Sequence, residues 1–159
     1  MKIGIIGPNK IDGDILVRKA LIDKVAQIIA VSKHEIVLTP DKNSLLEYFG
    51  YKYKELGGTK TWLVIPREQA EYKEYLNTDI GEIIYCDNWD SQADEFNRQS
   101  DIFVCIGYAW GVMKEIACAQ YFNKKKIYML KEFISAELPS ELNFLVEYIT
   151  IDDLAMVIK

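Results

Sequence analysis

Five short stretches hold the residues whose types could do chemistry: Gly7-Pro8-Asn9, Thr39-Pro40-Asp41, Pro66-Arg67, Asp87-Asn88-Trp89 and Gly107 to Gly111. Each follows an apolar run. Glycine lets a main-chain N–H come close to a ligand. Asn and Asp side chains exchange hydrogen bonds with one. Tyr108 and Trp110 carry rings that can stack on a planar base. The same rings can instead plug a pocket or cover a subunit interface, where Tyr and Trp are enriched. Asp87 and Asn88 can face a ligand or form an Asx-type turn ahead of a helix. Gly7-Pro8-Asn9 can line a site or merely end a strand. Glu115, beyond the last stretch, reads first as an acid in the opening turn of a helix, favoured by the helix dipole.

Other chemistries lack the residues they need. The one histidine, His34, sits between Lys33 and Glu35 just before a strand, which leaves no place for a His-based zinc site or a Ser-His-Asp triad. Cys86, Cys105 and Cys118 show no CxxC spacing, and the first two lie inside the apolar runs IIYC and IFVCI. They read as small buried hydrophobes in a reducing compartment. Neither a metal nor a cofactor is expected. With 19 Lys plus Arg against 24 Asp plus Glu, the net charge is -5. A chain of this sign without a basic tract is a poor partner for nucleic acid or an anionic membrane. The run Lys124-Lys125-Lys126 reads as a solvated turn. No apolar stretch approaches membrane-spanning length, and the run in MKIGIIGPNK is too short for a signal peptide. The expected location is the cytoplasm.

The elements that must position these stretches alternate. Lys2 to Ile6, Glu35 to Leu38, Thr61 to Ile65, Glu82 to Tyr85, Ile102 to Ile106 and Lys126 to Leu130 read as strands, with Val146 to Ile149 as a short seventh. Helical spacing joins Val17, Leu21, Val25 and Ile28 behind an Asp14 cap. It also joins Leu45, Phe49, Tyr53 and Leu56 behind Asn43 or Ser44, a helix stopped by Gly57-Gly58. A short exposed helix is expected within Arg67 to Asp79. Further helices are expected over about residues 91–99, carrying Ala93 and Phe96, and over about residues 112–122, packing Met113, Ile116, Ala117 and Tyr121. Asp152 is expected to cap a terminal helix.

With 159 residues and half of them hydrophobic, the chain has the size and composition of one folded domain, 1–159, with no repeat or linker inside it. Strands alternating with helices imply a doubly wound Rossmann-like α/β fold with a mostly parallel six- or seven-stranded sheet. Lys2–Ile6 is expected at its centre, between the second and fourth strands. Ligands in such sheets bind beyond the carboxyl ends of the strands, where the five stretches lie.

Several segments then carry a resemblance in their order. KIGIIGPNKI resembles the first strand and loop of the LOG-like superfamily, the Rossmann-like group of cytokinin-activating phosphoribohydrolases, lysine-decarboxylase-like proteins and molybdenum-cofactor carrier proteins. VLTPDKNSLLE, residues 37–47, stands at that group's TGGGxGxME-like stretch. ELGG, residues 55–58, stands at its EAGG. WLVIP resembles its third strand, SDIFVCIGYAWGVMKEIACA (residues 100–119) its SADAVIAxGGGxGTxxEIxxA segment, and KKKIYML its GKPVxxL. The resemblance covers nearly the whole chain.

The departures are chemical. Gly107, Gly111 and Glu115 match the fifth-strand motif, but Tyr108 and Ala109 replace two glycines and Val112 replaces its threonine. Thr39 matches, but Pro40, Asp41 and Lys42 stand where three glycines would cradle a phosphate. Counting back from Asp101, the place of the group's catalytic arginine falls on Gln92, and Arg98 lies one or two turns away. The resemblance therefore implies a small cytoplasmic protein that binds a nucleotide-like or other small ligand without the group's hydrolase activity. Its ligand-binding residues would be Gly7, Pro8, Asn9, Thr39, Asp41, Asp87, Asn88, Gly107, Tyr108, Trp110 and Gly111. The alternatives are an N-glycosidic hydrolase of nucleosides or their monophosphates in which Glu115 is catalytic, and a structural or interaction protein with a plugged cleft. Ten tyrosines, among them Tyr48, Tyr51, Tyr53, Tyr72 and Tyr75, exceed the needs of one small core. A homodimer or larger homo-oligomer through an aromatic helix face is expected, in keeping with the resembling group.

Overall fold

The apolar runs become strands, and the inner ones are buried on both faces. The computed structural model describes residues 1–9, 13–67, 72–122 and 125–159. Its elements are β1 (Lys2–Ile6), α1 (Ile15–Val31), β2 (Glu35–Leu38), α2 (Leu45–Glu55), β3 (Thr61–Pro66), α3 (Tyr72–Tyr75), β4 (Glu82–Cys86), α4 (Gln92–Gln99), β5 (Ile102–Cys105), α5 (Trp110–Ala119), β6 (Ile127–Leu130), β7 (Val146–Ile149) and α6 (Ile151–Val157). Two 3-10 turns, Lys131–Phe133 and Ser140–Leu142, lie between β6 and β7.

The strands form one seven-stranded sheet in the order β4-β3-β2-β1-β5-β6-β7, every neighbouring pair parallel. The expected doubly wound Rossmann-like α/β fold is present. β1 is central, but its neighbours are β2 and β5, not the second and fourth strands. Successive crossovers lay β2, β3 and β4 outward on one side. The chain then returns past β1 and builds β5, β6 and β7 on the other, so winding reverses between β1 and β5.

Alternation along the strands supplies two cores. Ile3, Ile5, Ile36 and Leu38 pack with Ile22, Val25, Phe49 and Leu154 beneath α1, α2 and α6. Ile6, Val37, Val64 and Phe103 pack with Phe96, Val112 and Ile116 beneath α4 and α5. Phe96 and Phe103 stack at 5.5 Å between centroids. β4 and β7 are the edges, and their side chains are the more exposed ones.

Caps set the helix boundaries. Asp14 accepts from the main-chain N–H groups of Leu16 and Val17, and Ser44, not Asn43, caps α2 by accepting from Glu47. α6 is capped by Thr150 in a capping box with Asp153, so Asp152 is displaced from that role. α5 begins two residues earlier than its spacing suggests and turns Ala117 outward, leaving Tyr121 beyond its end and exposed; of the expected packing set only Ile116 is buried. Lys125 is a clamp rather than a solvated turn residue. Its ammonium donates to the main-chain carbonyls of Asn97 and Ser100. Tyr53 enters the core, its hydroxyl donating to the His34 carbonyl at 2.5 Å and accepting from the Thr59 N–H at 2.9 Å. The part of the short exposed segment at residues 68–71 lies outside the described residues. No helix among the described residues is long and apolar enough to cross a membrane.

Candidate functional site

At the carboxyl ends of β1 and β2, beside the point where winding reverses between β1 and β5, lies a cleft of about 270 Å³. β1 delivers Gly7 and Asn9 to it, and β2 delivers Thr39 and Asp41. The opening turns of α5 supply Gly111, Val112 and Glu115, while Trp89 and Gln92 close the side next to α4. A groove of about 340 Å³ between α1 and α6 is larger, but it lies on the flank of the sheet and away from the switch point. Position and chemistry both favour the smaller cleft.

Gly7 is here because nothing larger fits. A Cβ at this position would stand 2.6 Å from Cγ1 of Ile106. Gly107, on the neighbouring strand end, has φ +128, a conformation that side chains rarely adopt, and it packs beside the Pro8 ring.

The loop after β2 is fastened in a way that removes donors. Pro40 has no N–H. The Asp41 N–H is spent on the Thr39 carbonyl at 3.0 Å, and the Lys42 N–H on the Tyr75 carbonyl at 2.8 Å. Asn77 N–H donates to the Pro40 carbonyl at 2.8 Å, and Asp41 bridges antiparallel to Leu76. A chain of glycines here would have left main-chain donors for an anion; this loop presents the Asp41 carboxyl instead.

Two carboxyl groups therefore meet in one cleft. Burial pushes Asp41 up to about 6 from its ordinary 3.8. Burial, then the negative charge of Asp41, pushes Glu115 up to about 8 from its ordinary 4.5, and nearby Lys114 offsets this only in part. Lys114 itself donates to the Asp90 carbonyl at 3.1 Å. Glu115 is the sixth residue of α5, beyond the first turn, so a first-turn dipole does not account for its position. Neither carboxyl makes a side-chain hydrogen bond or ion pair among the described residues. No group of three His, Cys, Asp or Glu among them could hold a metal ion.

Gln92 stands on the cleft wall at the first position of α4, and its side-chain amide donates to the Val64 carbonyl of β3 at 2.9 Å. Arg98 is further along α4, exposed, paired with Glu95 at 3.3 Å and set over the Phe122 ring.

Of the residues expected to touch a ligand, the cleft brings together Gly7, Asn9, Thr39, Asp41, Gly111 and Glu115. Pro8, Asp87, Asn88, Gly107, Tyr108 and Trp110 do not line it. Asn88 makes the Asx-type turn instead, its side chain accepting from the Ser91 N–H at 3.0 Å while its own N–H donates to the Ser91 hydroxyl at 3.1 Å. Tyr108 packs against the second core with its hydroxyl buried beside Tyr148. Trp110 is 93% exposed. The aromatic wall is Trp89, which the sequence placed in a strand-end loop without marking it from its neighbours. Gln92 and Val112 were legible only as departures from a motif.

No protein-family model matches the chain, and no curated protein matches it by sequence. Solved structures do match. The molybdenum cofactor binding protein from Rippkaea orientalis superposes with a TM-score of 0.78 at 17% identity, covering 99% of this chain and 94% of that one. The Moco carrier protein from Chlamydomonas reinhardtii gives 0.73 at 19%, covering 98% of this chain and 94% of that one. The structural-genomics target TM1055 gives 0.75 at 16%, covering 99% and 97%. The fold these structures share with this chain is the Rossmann-like α/β type. At these identities the likeness is one of backbone. What the scaffold holds in this chain must be read from its own cleft.

Proposed function

We propose that this protein binds a small nucleotide-like or other heterocyclic ligand in the cleft at the β1–β5 switch point, and that it does not hydrolyse N-glycosidic bonds. The observation that carries this reading is Gln92. Where the resembling hydrolases would place a catalytic arginine, this chain has a neutral amide, one of whose two N–H donors goes to Val64. Glu115, raised to about 8, is largely the neutral acid at pH 7. A neutral acid gives little support to the positive charge that develops on a sugar as its glycosidic bond breaks. Two of the solved neighbours are named as binding or carrying the molybdenum cofactor. A holding or carrying role in this chain fits a cleft with polar walls and no arginine or lysine lining it among the described residues.

Incubation with a panel of nucleosides and nucleoside monophosphates is the test. Thermal shift without release of free base is the expected result. Release of base that stops on Glu115→Gln would restore the hydrolase reading.

The proposed setting is cytoplasmic, consistent with three unpaired cysteines of which two are buried. The proposed assembly is a homodimer through the outer face of α5, where Trp110 is exposed and where Met113 and Ala117 share a groove with the exposed Leu142 and Phe144. A monomer by light scattering at high micromolar concentration would remove that assignment.

A further inference from the structure

Asp41 and Glu115 line one cleft, and each is held by bonds from a neighbouring element. The Asp41 carbonyl accepts from the Ser44 hydroxyl at 2.6 Å, and the residue bridges to Leu76. The Glu115 carbonyl accepts from the side-chain amide of fully buried Asn97 of α4 at 3.4 Å. No Lys, Arg or His among the described residues lines the cleft with them. The charged and titratable groups around them are few. Lys114 draws Glu115 down only in part and donates to the Asp90 carbonyl. Lys42 lines the neighbouring groove rather than this cleft. On β5, burial pushes the Cys105 thiol up to about 12, and it donates to the Gly107 carbonyl. On α5, burial and then Asp94 of α4 push the Cys118 thiol up from its ordinary 9.0. Both thiols stay mainly neutral below pH 9, so the two carboxyls set the charge of the space.

We propose that Asp41 and Glu115 form a proton-controlled charge gate, which admits anions to the cleft while the pair holds its protons and excludes them once both acids are ionised. With Asp41 at about 6 and Glu115 at about 8, the pair is neutral in mild acid, holds one proton at pH 7 and carries two negative charges near pH 9. Two fixed charges with no cation between them repel an incoming anion, and a protonated acid instead offers it an O–H donor. The inference rests on the small-ligand reading for its biological use, since it makes an anionic ligand enter together with protons and leave as pH rises. The charge of the empty cleft is measurable without any ligand.

Trp89 lines the cleft and reports on it. Trp62→Phe and Trp110→Phe together leave it the one tryptophan of the chain. Its quenching by iodide, caesium and uncharged acrylamide is compared at pH 5.5 and pH 9, at an ionic strength of about 0.1 M, where the Debye length of about 10 Å still spans a cleft. Iodide quenching relative to acrylamide should fall about threefold or more from the lower pH to the higher, while caesium quenching rises. Asp41→Asn and Glu115→Gln should each shrink the change, and the two together should abolish it. His34→Gln should leave it intact: histidine ordinarily titrates in this range, but His34 precedes β2 at the opposite end of the sheet. A ratio independent of pH, or a change that survives in the double variant, overturns the gate and leaves the small-ligand reading standing. Melting curves confirm that each variant folds. If the single-tryptophan chain does not, carboxyl carbon NMR of the protein with all its tryptophans reads the same groups. Asp41→Asn should then weaken proton binding at Glu115 about tenfold, a shift of about one pH unit, and an unmoved Glu115 midpoint overturns the gate.

Discussion

The side-chain amide of Gln92 donates to the main-chain carbonyl of Val64 at 2.9 Å, tying the first residue of α4 to the middle of β3. This bond holds Gln92 in the wall of the cleft that Glu115 also lines. Replacing Gln92 with Leu should leave the Val64 carbonyl without this partner and cost about 1–2 kcal/mol of stability. Urea denaturation reads the change as a lower midpoint with an unchanged slope. A variant as stable as the parent would show that the bond carries no weight.

Asp41 and Glu115 make stability fall as pH rises. Their pKa values are raised in the folded state, to about 6 and about 8. The folded protein then holds its protons more tightly than the unfolded chain does, so their contribution is complete below about pH 4, near the ordinary carboxylate values. It is lost progressively as pH rises through the folded values, up to about 8. Glu115→Gln removes its share of this loss. The variant should match the parent near pH 4 and exceed it above pH 8 by on the order of 2 kcal/mol, after allowance for solvent around a half-buried group. Melting curves across pH 4 to 9 test the sign. A variant equally stable relative to the parent at all pH values would contradict it.

Gly7→Ala should destabilise the protein by about 1–3 kcal/mol, because its Cβ would meet Ile106 at 2.6 Å. Ile106→Ala in the same chain should recover part of the loss by removing Cγ1, the atom that the new Cβ meets. Full additivity of the two substitutions would show that the contact is not the cause.

A nucleoside and its monophosphate should bind within about tenfold of one another. The β2 loop has no free main-chain N–H at residues 40–42, and Asp41 repels an anion. Each charge-assisted bond that a glycine loop would have made is worth about 1.5–3 kcal/mol. A monophosphate bound a hundredfold more tightly than its nucleoside would mean that the uncapped start of α5, where Ala109 offers no side-chain cap, holds the phosphate unaided.

The strands were legible because each is a short apolar run closed by turn residues, and the helices because Leu45, Phe49 and Tyr53 or Val25 and Ile28 recur at helical spacing. The neighbour of β1 was not, since strand order depends on which way the chain turns after β4 and no local pattern records that. Within the site, Gly7, Thr39 and Glu115 stood out because their residue types matched a known arrangement at matching positions. Trp89 did not, because nothing in Asp87-Asn88-Trp89 says which of the three faces inward; that is settled by Asn88 closing its turn with Ser91. The direction of Trp110 was not legible for a related reason. α5 begins at Trp110 itself, and the first turn sends this ring to solvent while Gly111 and Glu115 face the cleft.

Equilibrium dialysis against a mixture of nucleosides and nucleoside monophosphates, with chromatography of both compartments, tests the central claim most directly. The account predicts that one or more compounds accumulate intact on the protein side and that no free base appears in either compartment. Free base that accumulates with time, and ceases to do so in Glu115→Gln, would contradict it.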